Sequence, residues 1–146
     1  MIAMSYKNVY VASVAMGSND AQTVRAFMEA EAYPGPSIII AYSQCIAHGI
    51  DMAKGMDQQK AAVESAYWTL YRYNPTLAAE GKNPLKLDSK PPKRHVREYT
   101  SQETRFTILN RINPTLATEY SERLDKAAKE KYDYYAKLAS MSYDEA

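Results

Sequence analysis

The sequence predicts an α/β chain: a piece of parallel sheet, then an extended arm, then C-terminal helices. Three observations predict it. Residues 9–43 read as strand, helix, strand. Residues 69–99 are broken repeatedly by proline, and residues 114–138 repeat apolar side chains at helical spacing.

The run Val9 to Met16 is apolar and β-branched, which predicts a short parallel strand covered on both faces. Gly17-Ser18 breaks it. Asn19 is placed to cap a helix, with Gln22 as its capping-box partner and Asp20 in the first turn, where a carboxylate suits the dipole. That helix reaches about Ala32, with Val24, Phe27, Met28 and the stem of Glu31 as its apolar stripe. Glu29 and Glu31, two apart, cannot share a helix face. Tyr33-Pro34-Gly35-Pro36 stops the helix. Residues 37–43 are the clearest strand in the chain. Strand, helix, strand makes a right-handed βαβ unit, and ligands gather beyond the carboxyl ends of such strands. Cys45 and His48 fall there.

Residues 49–56 predict an irregular loop, and Asp57 a helix cap, with the helix running to Trp68. Residues 69–99 predict extended or irregular chain, punctuated by Pro75, Pro84, Pro91 and Pro92. So long a stretch usually lies against a neighbour or carries function. Thr100 with Glu103 forms a second capping-box pattern, opening a helix to Ile112. Asn113-Pro114 starts the last helix, with Leu116, Tyr120, Leu124, Ala127, Ala128, Tyr135 and Leu138 as its stripe. Glu119/Arg123, Glu122/Lys126 and Asp133/Lys137 are its (i, i+4) pairs. The chain thus divides into an α/β part (1–68), an arm (69–99) and a helical segment (100–146).

Composition narrows the function. Hydrophobic residues make up 46% and charged residues 24%, which excludes a disordered chain. A net charge of +1 speaks against a polyanion partner. The local basic run Lys82, Lys86, Lys90, Lys93, Arg94 and Arg97 lacks interleaved aromatics, so it reads as a solvated linker and no nucleic acid is expected. No apolar run is long enough for a membrane helix. One cysteine forbids an internal disulfide, and no secretory leader opens the sequence; both fit a reducing cytoplasm. Thirteen tyrosines against two phenylalanines suit half-buried faces and subunit contacts, including self-association.

Most catalytic signatures are missing. The five glycines match no phosphate-binding fingerprint, and there is no zinc pair or nucleophile elbow. Cys45-Ile46-Ala47-His48 is the one suggestive cluster: a thiolate with a nearby histidine is a nucleophile's pattern. A lone cysteine after a strand is more often a small buried apolar side chain. Metal ligation is the third reading.

Longer strings carry a resemblance. Val9 to Gly17, and Glu29 to Ser43 continuing through Gln44, Cys45 and Ile46, resemble the thiamine diphosphate domain of pyruvate:ferredoxin (flavodoxin) oxidoreductases. Ala62 to Pro75 and Gly81 to Lys90 resemble the strings that follow it. The resemblance spans roughly residues 4–112, with four blocks in order. It implies a C-terminal piece of a thiamine diphosphate-binding domain in an enzyme that oxidises a 2-oxoacid. Such enzymes use thiamine diphosphate with Mg²⁺, pass electrons through [4Fe-4S] clusters to ferredoxin or flavodoxin, and form an acyl-coenzyme A.

The family's cysteine in its Ala-Tyr-x-x-Cys string ligates the cluster nearest the thiamine. The resemblance carries that role to Cys45 in Ala41-Tyr42-Ser43-Gln44-Cys45. A [4Fe-4S] cluster takes four thiolates and this chain has one. The family's other cysteines and its Gly-Asp-Gly…Asn signature have no counterpart here. The chain alone is therefore expected to bind no cofactor and to be inactive, with the remainder of the parent enzyme as its partner. Departures from the family pattern are Ala66 for glycine, Thr69 for proline and Asn74 for aspartate, all bearing on loop geometry. His48 takes no role from the resemblance, and Trp68, Tyr71 and Tyr73 read as packing residues. The alternative function is a non-catalytic interaction or oligomerisation module built on the arm and the tyrosine-rich helix.

Overall fold

A computed structural model describes residues 1–143; the last three positions of the expected 100–146 segment lie outside it. A four-residue helix, α1 (Ile2–Ser5), precedes strand β1 (Tyr10–Val14). Helix α2 (Asp20–Ala32) crosses to β2 (Ser37–Ala41), which lies parallel to β1 with Ala12 opposite Ile39. Every residue of β1 is buried, as its unbroken apolar run predicts. Asn19 caps α2 by accepting a hydrogen bond from the Gln22 backbone N–H at 2.9 Å.

The sheet is mixed rather than parallel throughout. Residues 69–99, expected to be extended or irregular, contribute β3 (Tyr71–Tyr73) and β4 (Leu85–Leu87), linked by a 3₁₀ segment, Pro75–Glu80. Both pair antiparallel, giving the order β2-β1-β3-β4. Three-residue strands with proline on either side carry too little period-2 pattern to be legible. Asn74 does the capping an aspartate would do, accepting from the Thr76 N–H and Oγ1 at 3.1 and 2.8 Å.

Helix α3 (Gly55–Glu64) begins two residues before Asp57 and ends four before Trp68. The second capping box falls elsewhere than expected. Thr100 ends a short helix, α4 (Val96–Thr100), where Glu98 accepts from the His95 N–H at 3.3 Å. Glu103 stands at the start of α5 (Thr104–Ile112) and is buried. Asn113 caps α6 (Pro114–Ala139) through the Leu116 N–H at 3.0 Å. Of the expected ion pairs on α6, Glu119–Arg123 closes at 2.5 Å, while Lys126 lies 3.9 Å from Glu130 instead of pairing with Glu122.

One face of the sheet packs Tyr10, Ala12, Val14 and Ile39 against Ala26 of α2. The other packs Val11, Tyr71, Tyr73 and Leu85 against Met4, Tyr135 and Leu138. A third cluster joins α3, α4 and α6 through Ala62, Val96, Tyr99 and Ala128. Asn83 ties the end of α6 to the sheet, donating to the Leu138 and Met141 carbonyls at 2.7 and 3.0 Å.

Helix α2 corrects the expectation of its stripe. It buries Gln22, Thr23 and Ala26, while Val24, Phe27 and Met28 are 57%, 55% and 67% exposed. The cause lies in β3. Arg72 points at α2 with only 4% of its surface exposed, so α2 must present polar partners there. Asp88 meets it with two bonds of 2.8 Å and Glu29 with a third. Gln22 donates to Asp88 at 3.0 Å, and the Tyr10 hydroxyl donates to Glu29 at 2.9 Å. A buried charge is tolerable only when paired in this way. The Asp88 hydrogen bonds raise the Arg72 pKa, and burial beside Glu29 raises that of Tyr10.

Candidate functional site

The loop after β2 carries the candidate residues, and it is braced at three points. At its start, the Tyr42 hydroxyl lies 2.8 Å from that of Tyr99, and its ring meets Trp68 edge-on with centroids 5.4 Å apart. Trp68 is fixed in turn by donating to the Val14 carbonyl at 3.1 Å, so its expected packing role includes a hydrogen bond to the central strand.

Next, Gln44 is held by Gln59 of α3, whose Nε2 donates to Gln44 Oε1 at 2.9 Å. Gln59 Oε1 accepts from the Gly17 N–H at 2.8 Å, tying the ends of β1 and β2 together. The Gln44 amide fills the space where a Cβ on Gly55 would sit, so a larger residue at the head of α3 would have to displace Gln44 from its bond with Gln59. At the far end, Gly49 takes φ +70° and its carbonyl accepts from Thr104 N and Oγ1 at 3.3 and 3.0 Å.

Cys45 sits between these braces. It is half-buried, a free thiol, and belongs to none of the three apolar clusters. Its carbonyl accepts from the His48 N–H at 3.0 Å, opening the 3₁₀ turn Ile46–His48. The next side chain, Ile46, is 74% exposed. The structure therefore gives the sulfur a loop at the carboxyl end of the parallel pair, outside the packed interior.

The histidine does not join the cysteine. His48 Nε2 lies 3.5 Å from Arg105 Nη1, and no side-chain hydrogen bond links it to Cys45 among the described residues. The nucleophile arrangement thus lacks its base at hydrogen-bonding distance. A hollow of about 320 Å³ lies beside the loop between Tyr42, His48, Trp68 and Arg105, and Cys45 does not line it.

Below the hollow is a polar network that the sequence did not reveal. Glu103 is fully buried, yet accepts from Gln58 at 2.8 Å, the Tyr99 hydroxyl at 3.0 Å and Arg105 Nε at 2.5 Å. Partial burial is the largest single influence and would lower the Arg105 pKa, but the hydrogen bond and charge of Glu103 together with Tyr99 outweigh it and the pKa rises. Burial raises that of Tyr99. Adjacent glutamines at 58 and 59 on an otherwise alanine-rich helix face were the available signal.

The basic run after β4 is partly neutralised: Lys93 and Arg94 reach Glu64 at 2.8 and 2.6 Å. No helix among the described residues is long and apolar enough to cross a membrane.

Among the described residues no three His, Cys, Asp or Glu side chains are grouped to hold a metal ion. The residues present fit a single donor to a shared metal group, not a whole site.

No protein-family model matches the chain. It is 54% identical over 140 residues to the pyruvate-flavodoxin oxidoreductase of Nostoc sp. (strain PCC 7120), covering 96% of this chain and 12% of that protein. The chain is similar to one segment of pyruvate-flavodoxin oxidoreductases. Pyruvate:ferredoxin oxidoreductase from Moorella thermoacetica is 49% identical over 139 residues, 95% of this chain and 12% of its own length. Mitochondrial pyruvate dehydrogenase [NADP(+)] from Euglena gracilis is 50% identical over 115 residues, 77% of this chain and 6% of its own length. The chain thus spans about an eighth of the first two relatives and less of the third.

Proposed function

We propose that this chain is the C-terminal piece of a pyruvate:flavodoxin or pyruvate:ferredoxin oxidoreductase acting in the cytoplasm. It completes the thiamine diphosphate-binding domain and supplies Cys45 as one ligand of the [4Fe-4S] cluster nearest the thiamine. The observation that carries the reading is identity near 50% along almost the whole chain to a small part of such enzymes, with a braced loop presenting one thiol. When bound, such a cluster carries electrons singly. This chain's own part is to hold one soft thiolate in place at the end of a strand. The other three thiolates, the thiamine diphosphate with its Mg²⁺, and the flavodoxin or ferredoxin contact come from the remainder of the enzyme. Alone, the chain has no turnover.

The test is Cys45→Ser in an assembled oxidoreductase carrying this segment. Loss of about one cluster's iron, with a changed paramagnetic resonance spectrum of the reduced enzyme, is the expected result. Full iron content with an unchanged spectrum would overturn the assignment.

A further inference from the structure

Strand β2 is apolar on both sides but covered on one, and helix α2 beside it carries apolar side chains on its outer face. Strand β2 reads Ser37-Ile38-Ile39-Ile40-Ala41, and it stands at the edge of the sheet. Ile39 packs under α2, while Ile38 and Ile40, on the opposite face, are 43% and 41% exposed. Helix α6 packs on that face through Tyr135 and Leu138, against the cluster of Val11, Tyr71, Tyr73 and Leu85, and Tyr135 and Lys131 only border a small hollow that Ile40 also lines. Helix α2 turns polar side chains inward, and its outward Val24 and Met28, with Asp20, Arg25 and Glu29 at the margins, line a shallow hollow of about 620 Å³.

The backbone of β2 is open as well. Tyr10 N–H donates to the Pro36 carbonyl and Tyr42 N–H to that of Val14, at 3.0 and 2.9 Å. Because strand groups alternate in direction, the N–H groups of Ile39 and Ala41 point away from β1. Proteins protect true edges with lysine, proline, bulges or alternating polar residues, and β2 has none of these within it. An unbroken apolar strand belongs inside a parallel sheet with helices on both faces.

We infer that β2 is an interior strand whose free edge takes a parallel strand from the remaining polypeptide of the parent oxidoreductase, with the outer face of α2 and Ile38/Ile40 covered by the same partner. The inference rests on the reading of the chain as a segment of such an enzyme. It identifies the contact surface independently of any role for Cys45. The relatives supply the occupant, since nearly nine-tenths of their length lies outside this match. A second copy is a poorer occupant. Twofold pairing of two β2 edges would set them antiparallel, where an alternating pattern is favoured.

The experiment mixes the 146-residue chain with the Nostoc enzyme lacking its matching segment, and follows binding by sedimentation and amide exchange. The expected result is a complex in which the Ile39 and Ala41 amides slow at least tenfold relative to the free chain. Ile40→Lys and Val24→Glu should each weaken binding at least tenfold while leaving the free chain's melting temperature nearly unchanged. Ile108→Lys, on exposed α5, should leave binding unaltered. Against an isolated remainder that fails to fold, the chain is also joined to it in one polypeptide. There Ile40→Lys should lower the melting temperature by several degrees. A complex with unprotected Ile39 and Ala41, or indifferent to Ile40→Lys, would overturn the surface and leave the segment reading intact. No complex, together with a joined protein indifferent to Ile40→Lys, would overturn both. Protection of the same amides in dimers of the free chain would assign the edge to a second copy and overturn the inference.

Discussion

Gln59 holds Gln44, donating from Nε2 to Oε1 across 2.9 Å, one residue ahead of Cys45. The same side chain accepts from the Gly17 N–H, so one buried amide fixes the ends of two parallel strands and the loop that follows. Gln59→Leu removes both bonds and leaves the Gly17 N–H and the Gln44 amide without partners. The expected cost is about 1–3 kcal/mol in chemical unfolding. Alkylation of Cys45 should also quicken several-fold as the loop loosens. An unchanged rate would mean that Tyr42 and Gly49 suffice to hold it.

Glu103 accepts from three donors in the α3–α4–α5 junction. Glu103→Ala should destabilise the chain by about 3 kcal/mol, since it leaves Gln58 and Arg105 facing an apolar gap. Glu103→Gln keeps the shape and part of the bonding, so it should cost roughly half as much. Equal losses in thermal unfolding would show that charge, rather than bonding, holds the junction.

Ala66 adopts φ +57°, in the left-handed region that glycine enters freely. Ala66→Gly should stabilise the chain by about 0.5 kcal/mol, because relief of backbone strain exceeds the loss of one buried methyl. Thr69 presents a related opportunity, as its Oγ1 is buried without a hydrogen-bond partner among the described residues. Thr69→Val keeps the shape and should add about 1 kcal/mol. Both gains are read from midpoints of denaturant unfolding.

Glu64 is held below its ordinary value near 4.5, first by its hydrogen bond with Lys93; burial opposes this, and the charges of Arg94 and Lys93 add to the lowering. A depressed carboxylate stabilises the fold above its unfolded pKa, and the contribution fades as pH falls through the folded value. Glu64→Gln should therefore cost about 1 kcal/mol at pH 7. The gap to the native chain should narrow as pH drops below about 4. A difference that does not change between pH 7 and pH 3 would contradict the ion pair.

The βαβ unit was legible because β1 and α2 carry strong local signals: an apolar run, and Asn19 in capping position. The last helix was legible for the same reason. Strands β3 and β4 were not, since three residues give no period and their pairing depends on β1, far away in sequence. The stripe of α2 was found but set on the wrong side, because the covered face is dictated by Arg72, a residue 43 positions from Glu29. In the candidate site, Cys45 was marked by its string and its place after a strand. Thr104 acts through folded contacts and carries no signature of its own, while Gln59 shows in the sequence only as one of two adjacent glutamines and Glu103 only as a capping-box residue.

The central strand also imposes a schedule on the ribosome. Val11 pairs with Tyr73 on one side and Ile38 on the other, so its two neighbours are synthesised at different times. At roughly 5–20 residues per second, β1 waits several seconds beside an empty lane after α2 has already formed. Through that interval the nascent chain exposes one edge of β1, and a chaperone that shields residues 10–14 would act before β3 emerges.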